Sequence, residues 1–306
     1  MKTTLTKGLA TLFLSFILLP AAFAQTVSNN RVIEVPFEFL KNEVVIQANI
    51  NGHGPFNMLL DTGTDPSAVD IKTGKDIGLK MAPVGEKASG TGTDVNLAYA
   101  TRLPIVTVGG VEAKNVEAAA IDLSKVSERM GRPIHVILGQ SFLNNRIVQF
   151  DFPKKVVRFF ERPPLSDHGR TNSAAYTRLS FHDKHNVMIG GVLVNGKAVP
   201  ANIDTGSSSG FQLTPAAVSE LGLGEIAKMG EVTTSVGYNG VAENHSGRLK
   251  NITIGGISVD DPGVVFFAAG SGHDKMPWMV NIGNAFMMDF VVTFDYKNKT
   301  VTFERP

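Results

Sequence analysis

The sequence predicts an all-β chain folded as two related lobes with a few short helices. Three observations predict this. The second half repeats the first at a spacing of about 144 residues. Each half carries an Asn-Gly pair between two apolar runs, the strongest short-range hairpin signal. Helical periodicity is confined to stretches of a few residues, while β-branched runs and 31 glycines mark many short strands and tight turns.

Residues 1–24 stand apart from the fold. Lys2 and Lys7 give a positive start, residues 9–19 (LATLFLSFILL) an apolar core, and Ala22-Phe23-Ala24 a small-x-small cut site after Pro20. That is the pattern of an export signal peptide, too short in its apolar part for a span of about 20 residues. The expected compartment is the periplasm of a Gram-negative-type cell or the exterior, without lasting membrane insertion once the leader is removed. The chain has no Cys, which excludes disulfide staples, Cys-based zinc sites and a cysteine nucleophile. A formal net charge of +1 gives no electrostatic reason to expect a nucleic-acid partner.

The first lobe is expected over 25–160, a linker over 161–175 (ERPPLSDHGRTNSAA) and the second lobe over 176–306. The matched blocks run in one order. Residues 42–63 (NEVVIQANINGHGPFNMLLDTG) match 185–206 (HNVMIGGVLVNGKAVPANIDTG), with Asn51-Gly52 over Asn195-Gly196. A short helix should follow each. Thr214 caps the second, with Pro215 at its first position and Leu221-Gly222-Leu223 at its end. Asp70 takes the place of Thr214 in the first, and Ile77-Gly78-Leu79 closes it. Next, 106–121 (VTVGGVEAKNVEAAAI) matches 252–267 (ITIGGISVDDPGVVFF), each a strand, a Gly-Gly turn and a strand. Last, 136–160 matches 280–304, pairing Phe150-Asp151 with Phe294-Asp295.

Both copies of the first block end in Asp-Thr-Gly, at 61–63 and 204–206. One such turn alone is commonly structural, its carboxylate accepting backbone N–H groups in an Asx turn. Two, at corresponding places in a tandem repeat, can meet across a pseudo-twofold axis. Asp61 and Asp204 would then share a site in which both cannot readily ionise, so one proton is held between them. The ionised member can take a proton from water while the protonated member hydrogen-bonds the carbonyl that water attacks.

These residues resemble the active-site signature of aspartic proteases, an apolar pair followed by Asp-Thr-Gly-Ser/Thr, here LLDTGT and NIDTGS. Ile137-Leu138-Gly139 resembles the family's apolar-apolar-Gly segment, and Asn281-Ile282-Gly283 departs from it at the first position. The short, closely matched lobes look more like bacterial retropepsin-type proteases fused as a single-chain pair than like the larger pepsins. The resemblance implies two acid-protease β-barrel lobes and a peptide-hydrolysing dyad of Asp61 and Asp204. Thr62 and Thr205 would hold the loops together, and Gly63 and Gly206 would permit the tight turns. Thr64 and Ser207 would bond the carboxylates from outside. Leu138, Gly139, Ile282 and Gly283 would form the segments behind the loops. Flap candidates are 89–96 (SGTGTDVN), with Gly90 and Gly92, and 235–244 (SVGYNGVAEN), with Gly237 and Tyr238. Tyr238 lies in the second lobe, whereas the flap tyrosine of pepsins lies in the first. The implied substrate is a peptide or protein held in an apolar cleft, with no cofactor or metal, and a monomer suffices for the dyad. Its pH profile should be bell-shaped with a maximum below neutrality.

Other readings are weaker. GSSSG (206–210) matches Gly-x-Ser-x-Gly, but Ser208 lacks the α/β context of a nucleophile elbow. Gly90-Thr91-Gly92 lacks the Lys of a phosphate loop. His182 and His185 have metal-compatible spacing on no helix, so a solvated turn explains them. A two-carboxylate glycosidase would want aromatic platforms, yet the chain has one Trp and four Tyr. The competing functional class is a protease-like module that binds peptides or an envelope protein without cutting them.

Overall fold

The computed structural model describes residues 31–87, 92, 96–164, 171–183 and 185–306. Residues 1–30, which include the expected export signal, and most of the first flap candidate lie outside these. Strands dominate, helices are short, and the chain forms two lobes around an apolar core that runs through both, with a second, smaller apolar cluster in the first lobe.

Each lobe contains the hairpin its sequence announces. Glu43–Ile50 pairs antiparallel with His53–Leu60 through Asn51 (φ 48) and Gly52 (φ 82). Val187–Val194 pairs with Lys197–Ile203 through Asn195 (φ 50) and Gly196 (φ 83). Two successive left-handed residues make the turn whose twist matches that of paired strands, and Asn-Gly adopts it at least cost.

The second strand of each hairpin carries its Asp-Thr-Gly out of the sheet. In the first lobe it lies parallel to Val136–Leu138, which is antiparallel to Ser67–Asp70. In the second it lies parallel to Val280–Ile282, which is antiparallel to Phe211–Leu213. The middle strand thus runs behind the loop, and its last carbonyls hold the aspartate backbones. Asp61 N–H donates to Leu138 O at 3.0 Å and Asp204 N–H to Ile282 O at 2.9 Å.

Helices follow at the expected places. Ile71–Asp76 is capped by Asp70, whose carboxylate accepts from Thr73 N–H. Pro215–Glu220 is capped by Thr214, which accepts from Ala217 N–H. Sequence periodicity did not announce the helix Ser124–Met130, which ends at Gly131 in the left-handed conformation.

The strands that close the two lobes build one sheet, ordered Val32–Pro36, Val156–Phe160, Ile147–Asp151, Val291–Asp295, Thr300–Glu304 and Tyr176–Asp183. At its centre Gln149 faces Thr293, 144 positions on in the chain, and donates to its hydroxyl at 2.9 Å. Repeat-equivalent residues that face each other in an antiparallel pair mark a local twofold axis. Phe150 and Phe294, both fully buried, pack edge to face on it at 5.7 Å. The ends of the linker are pinned to this sheet, Glu161 N–H to Arg31 O and Arg305 N–H to Ala175 O.

Candidate active site

At the other end of the axis the two Asp-Thr-Gly loops interlock. Thr62 Oγ1 donates to Ile203 O at 2.8 Å and accepts from Thr205 N–H at 3.0 Å. Thr205 Oγ1 does the same in reverse, with Leu60 O at 2.8 Å and Thr62 N–H at 3.0 Å. All four bonds are buried, where an unmade one would cost about 1–3 kcal/mol, so the loops hold each other in one geometry. Two amides at matched repeat positions brace them further: Gln140 Nε2 donates to Thr62 O at 2.5 Å and Asn284 Nδ2 to Thr205 O at 2.7 Å. Sequence reading missed both. Their signal was an amide directly after each apolar-apolar-Gly segment.

Asp61 and Asp204 face each other across this joint, each carboxyl lying against the glycine of the opposite loop. Asp61 Oδ1 accepts from Gly63 N–H at 2.7 Å and its Oδ2 from Thr64 Oγ1 at 2.6 Å. Asp204 Oδ1 accepts from Gly206 N–H at 2.9 Å. Burial raises both carboxyls above the ordinary range. The neighbouring Asp61 charge adds to the effect on Asp204, which is pushed up to about 8.

The expected hydroxyl on the outer oxygen is present in the first lobe and absent in the second. Ser207 Oγ turns away and donates to Gln212 Oε1 at 2.7 Å. Asn281 Nδ2 takes its place, 2.8 Å from Asp204 Oδ2, and also donates to Gln212 at 3.1 Å. Asn281 Oδ1 accepts from Asn202 at 2.7 Å, which fixes the amide's orientation. The first position of Asn281-Ile282-Gly283, a departure from the apolar pattern, is therefore the residue that bonds the carboxylate.

The glycines of the loops also have a different reason from the one expected. Neither Gly63 nor Gly206 has a left-handed φ. A methyl group on Gly63 would instead stand 2.6 Å from Asp204 Oδ1, and one on Gly206 2.2 Å from Asp61 Cγ. Each is glycine because the opposite carboxyl lies against it. Leu138 and Ile282 are buried in the core, and Gly139 and Gly283 pass within methyl-excluding distance of Thr64 O and Ser209 O.

Gly92 and Asn96, the described residues of the first flap candidate, meet the tip of the second. Val232–Gly237 and Gly240–Arg248 form a hairpin with Tyr238 at its tip. Gly237 and Tyr238 line a cavity of about 180 Å³ together with both aspartates. Tyr238 reaches across to pack on the first-lobe apolar cluster around Leu59, Val126 and Ile137. Burial and then the two aspartate charges push its phenol up to about 12, so it stays neutral. Asn96 Nδ2 donates to Tyr238 O at 2.9 Å, and Gly92 fits so closely that a methyl group there would meet Asn239 O at 2.0 Å. Gly90 lies outside the described residues.

Three neighbours were not anticipated. Glu43, 2% exposed, reaches the cavity from the start of its strand, and Arg129 Nη1 binds its Oε1 at 2.9 Å. Arg129 Nη2 also donates to Ser208 Oγ at 2.7 Å across the lobes. His273 stacks on Phe267 at 3.7 Å and burial pushes it down to about 4, so it too is neutral. Only their three-dimensional position distinguishes these from ordinary strand, helix and loop residues. The cleft is thus not uniformly apolar, as the sequence led us to expect.

The remaining candidates disperse. Ser208 bonds Arg129 and, among the described residues, no histidine. His185 Nδ1 lies 2.6 Å from Asp65 Oδ2, and no group of three metal-ligating side chains occurs among the described residues. A search of curated proteins found no match. A protein-family model described as aspartyl protease matches residues 46–142 and again 191–285, one match for each lobe and each containing one Asp-Thr-Gly loop. The chain belongs to the aspartyl protease family.

Proposed function

We propose that the protein is an exported aspartic endopeptidase in which Asp61 and Asp204 activate a water molecule to hydrolyse peptide bonds. The observation that carries this reading is the pair of carboxyls, Asp61 buried and Asp204 partly buried, that face each other on interlocked, symmetry-related loops. Asp61 accepts from Gly63 N–H and the Thr64 hydroxyl, which favour its ionised form. Asp204, pushed higher, holds the proton. In the reaction the Asp61 carboxylate takes a proton from water as the water oxygen bonds the scissile carbonyl carbon. The Asp204 carboxyl gives its proton to the carbonyl oxygen, forming a neutral tetrahedral diol. Asp61 then gives its proton to the amide nitrogen while Asp204 takes one back from a diol hydroxyl, so that the C–N bond breaks, the C=O bond re-forms and the dyad is again singly protonated. The hairpin carrying Tyr238 closes over the site and keeps bulk water out.

The pH window follows from the two carboxyls. Below the Asp61 value no base is available, and above the Asp204 value, about 8, no acid is. The alkaline limb therefore falls near pH 8, and activity extends further toward neutrality than the sequence alone suggests. Export is supported by the charged start, apolar core and cut site of residues 1–24. None of the described helices is long and apolar enough to cross a membrane.

The test is cleavage of a mixed peptide library from pH 3 to pH 8 by the wild type, Asp61→Asn and Asp204→Asn. Each variant should lose at least about 10²–10⁴-fold in kcat/KM, as removal of a general acid or base does. Retention of the wild-type rate by either variant overturns the paired mechanism. Peptides bound but never cut would assign the protein to the binding class.

A further inference from the structure

The two sides of the dyad use the same repeat positions with opposite chemistry. In the first lobe, three neighbouring strands place Leu59 and Ala68 beside Ile137. In the second, the same pairings bring Asn202 and Gln212 beside Asn281. Leu59, Ala68 and Ile137 continue into an apolar cluster with Val126 and Leu123. Asn202, Gln212 and Asn281 instead form a hydrogen-bonded chain that ends on Asp204.

Beside that chain, under the strand Val232–Gly237, lies a cavity of about 320 Å³ contiguous with the dyad. Ser208, Ser209, Gln212, Thr234, Ser235 and Glu43 are among its walls. Glu43 and Arg129 are paired with each other there, and Asp204, which also lines the chamber, holds the proton of the dyad. Two polar groups there are not satisfied by described residues. Glu43 Oε2 is buried and has no partner. Gln212 uses its carbonyl twice, while its amide nitrogen donates to none of them.

Resting on the peptidase reading, we propose that this chamber is a specificity subsite for an uncharged side chain that both donates and accepts hydrogen bonds, an amide or a hydroxyl. The opposite side takes an apolar side chain against Leu59, Val126 and Ile137. Scissile bonds then lie between an apolar residue and one of Gln, Asn, Ser or Thr. The physical reason is the cost of the alternatives. A charged side chain would lose its hydration to a chamber whose Glu43 and Arg129 are already paired with each other. An apolar side chain would cover Glu43 Oε2 and the Gln212 amide without bonding them, and sites built to hydrogen-bond reject such analogues.

The experiment is a positional peptide library, each position next to the scissile bond carrying Gln, Ser, Leu, Lys or Asp, with products sequenced by mass spectrometry. We expect Gln or Ser on one side and Leu on the other, with Gln favoured over Leu, Lys and Asp in the chamber by about tenfold or more in kcat/KM. A double variant, Glu43→Leu with Arg129→Leu, exchanges a buried ion pair for apolar groups of similar volume, a change that proteins commonly tolerate. It should lower the Gln-to-Leu ratio at that position by about tenfold or more. If thermal unfolding shows the double variant not to be folded, Gln212→Leu reads the same ratio. Dyad-dependent cleavage with apolar residues on both sides, with a charged residue in the chamber, or with an unchanged ratio in the folded variant overturns the inference and leaves the peptidase standing. Absence of any cleavage lost in Asp61→Asn overturns the peptidase reading and this inference with it.

Discussion

Asp204 concentrates the energetic tension of the site in one side chain. Burial and the Asp61 charge raise its carboxyl to about 8 in the folded protein, against 3.8 for the free side chain. A raised folded value contributes stability that is fully present below the unfolded value and is lost as pH rises through the folded one. The wild type should therefore weaken between about pH 4 and pH 8. Asp204→Asn, which cannot ionise, should escape that loss and melt at least about 2 °C higher than the wild type at pH 8, as differential scanning at several pH values would show. Equal melting points at pH 8 would mean that the pair is not strained by its charge. Asn281 acts on the same group from the opposite direction, since its N–H favours the ionised form. Other ionisable groups around Asp204 are Asp61, Glu43, Arg129, Tyr238 and His273. Asn281→Ile copies the first-lobe residue Ile137 and removes that donor. It should move the alkaline limb of kcat/KM to higher pH, whereas a purely structural role would lower activity at all pH values alike. The aspartates and threonines were legible in the sequence because their motif is local and occurs twice. The Asn281 bond was not legible, because which of Ser207 and Asn281 reaches the carboxylate depends on the strand pairing of Gln212.

Among the elements, the hairpin 232–248 is held at its tip by contacts with the other lobe. Tyr238 anchors its tip in the other lobe, and Asn239, 5% exposed, packs against Gly92 of the first-lobe flap. Tyr238→Ala should remove the apolar anchor, about 2 kcal/mol or more of closure. Amide hydrogen exchange across 236–240 should then quicken, and KM should rise more than kcat falls. Unchanged exchange would show that Asn96 and Gly92 hold the tip without the ring. The segment 235–244 was legible as a flap candidate through the family resemblance. That its tyrosine crosses to the opposite lobe was not, since pattern within one strand pair carries no information about what the tip meets.

The whole molecule is tied at both ends of its twofold axis, by the threonine interlock at one end and by the shared sheet at the other. Neither lobe can leave without exposing Phe150 or Phe294 and breaking the ladder between Ile147–Asp151 and Val291–Asp295. Calorimetry should accordingly show one cooperative transition for both lobes. Phe150→Ala and Phe294→Ala should each cost about 3–5 kcal/mol and lower that single transition. Two resolved transitions would mean that the lobes unfold independently. Repeat matching predicted the pairing of Phe150-Asp151 with Phe294-Asp295 as equivalent residues. Their direct contact follows from closure of the two lobes around an axis, which no local pattern encodes.

By itself the sequence determined the tandem repeat, the Asn-Gly hairpins, the caps at Asp70 and Thr214, and the two Asp-Thr-Gly loops. All of these depend on interactions within a few residues or on self-similarity, which a linear string displays. The tertiary structure alone decided that the carboxyls meet and that Asn281 replaces a hydroxyl on Asp204. It also decided that Glu43 and Arg129 stand beside the dyad, and that one wall of the cleft is apolar and the other polar. Those features arise where strands far apart in the chain are brought into register, and the chemistry of a position is then set by what lies across from it.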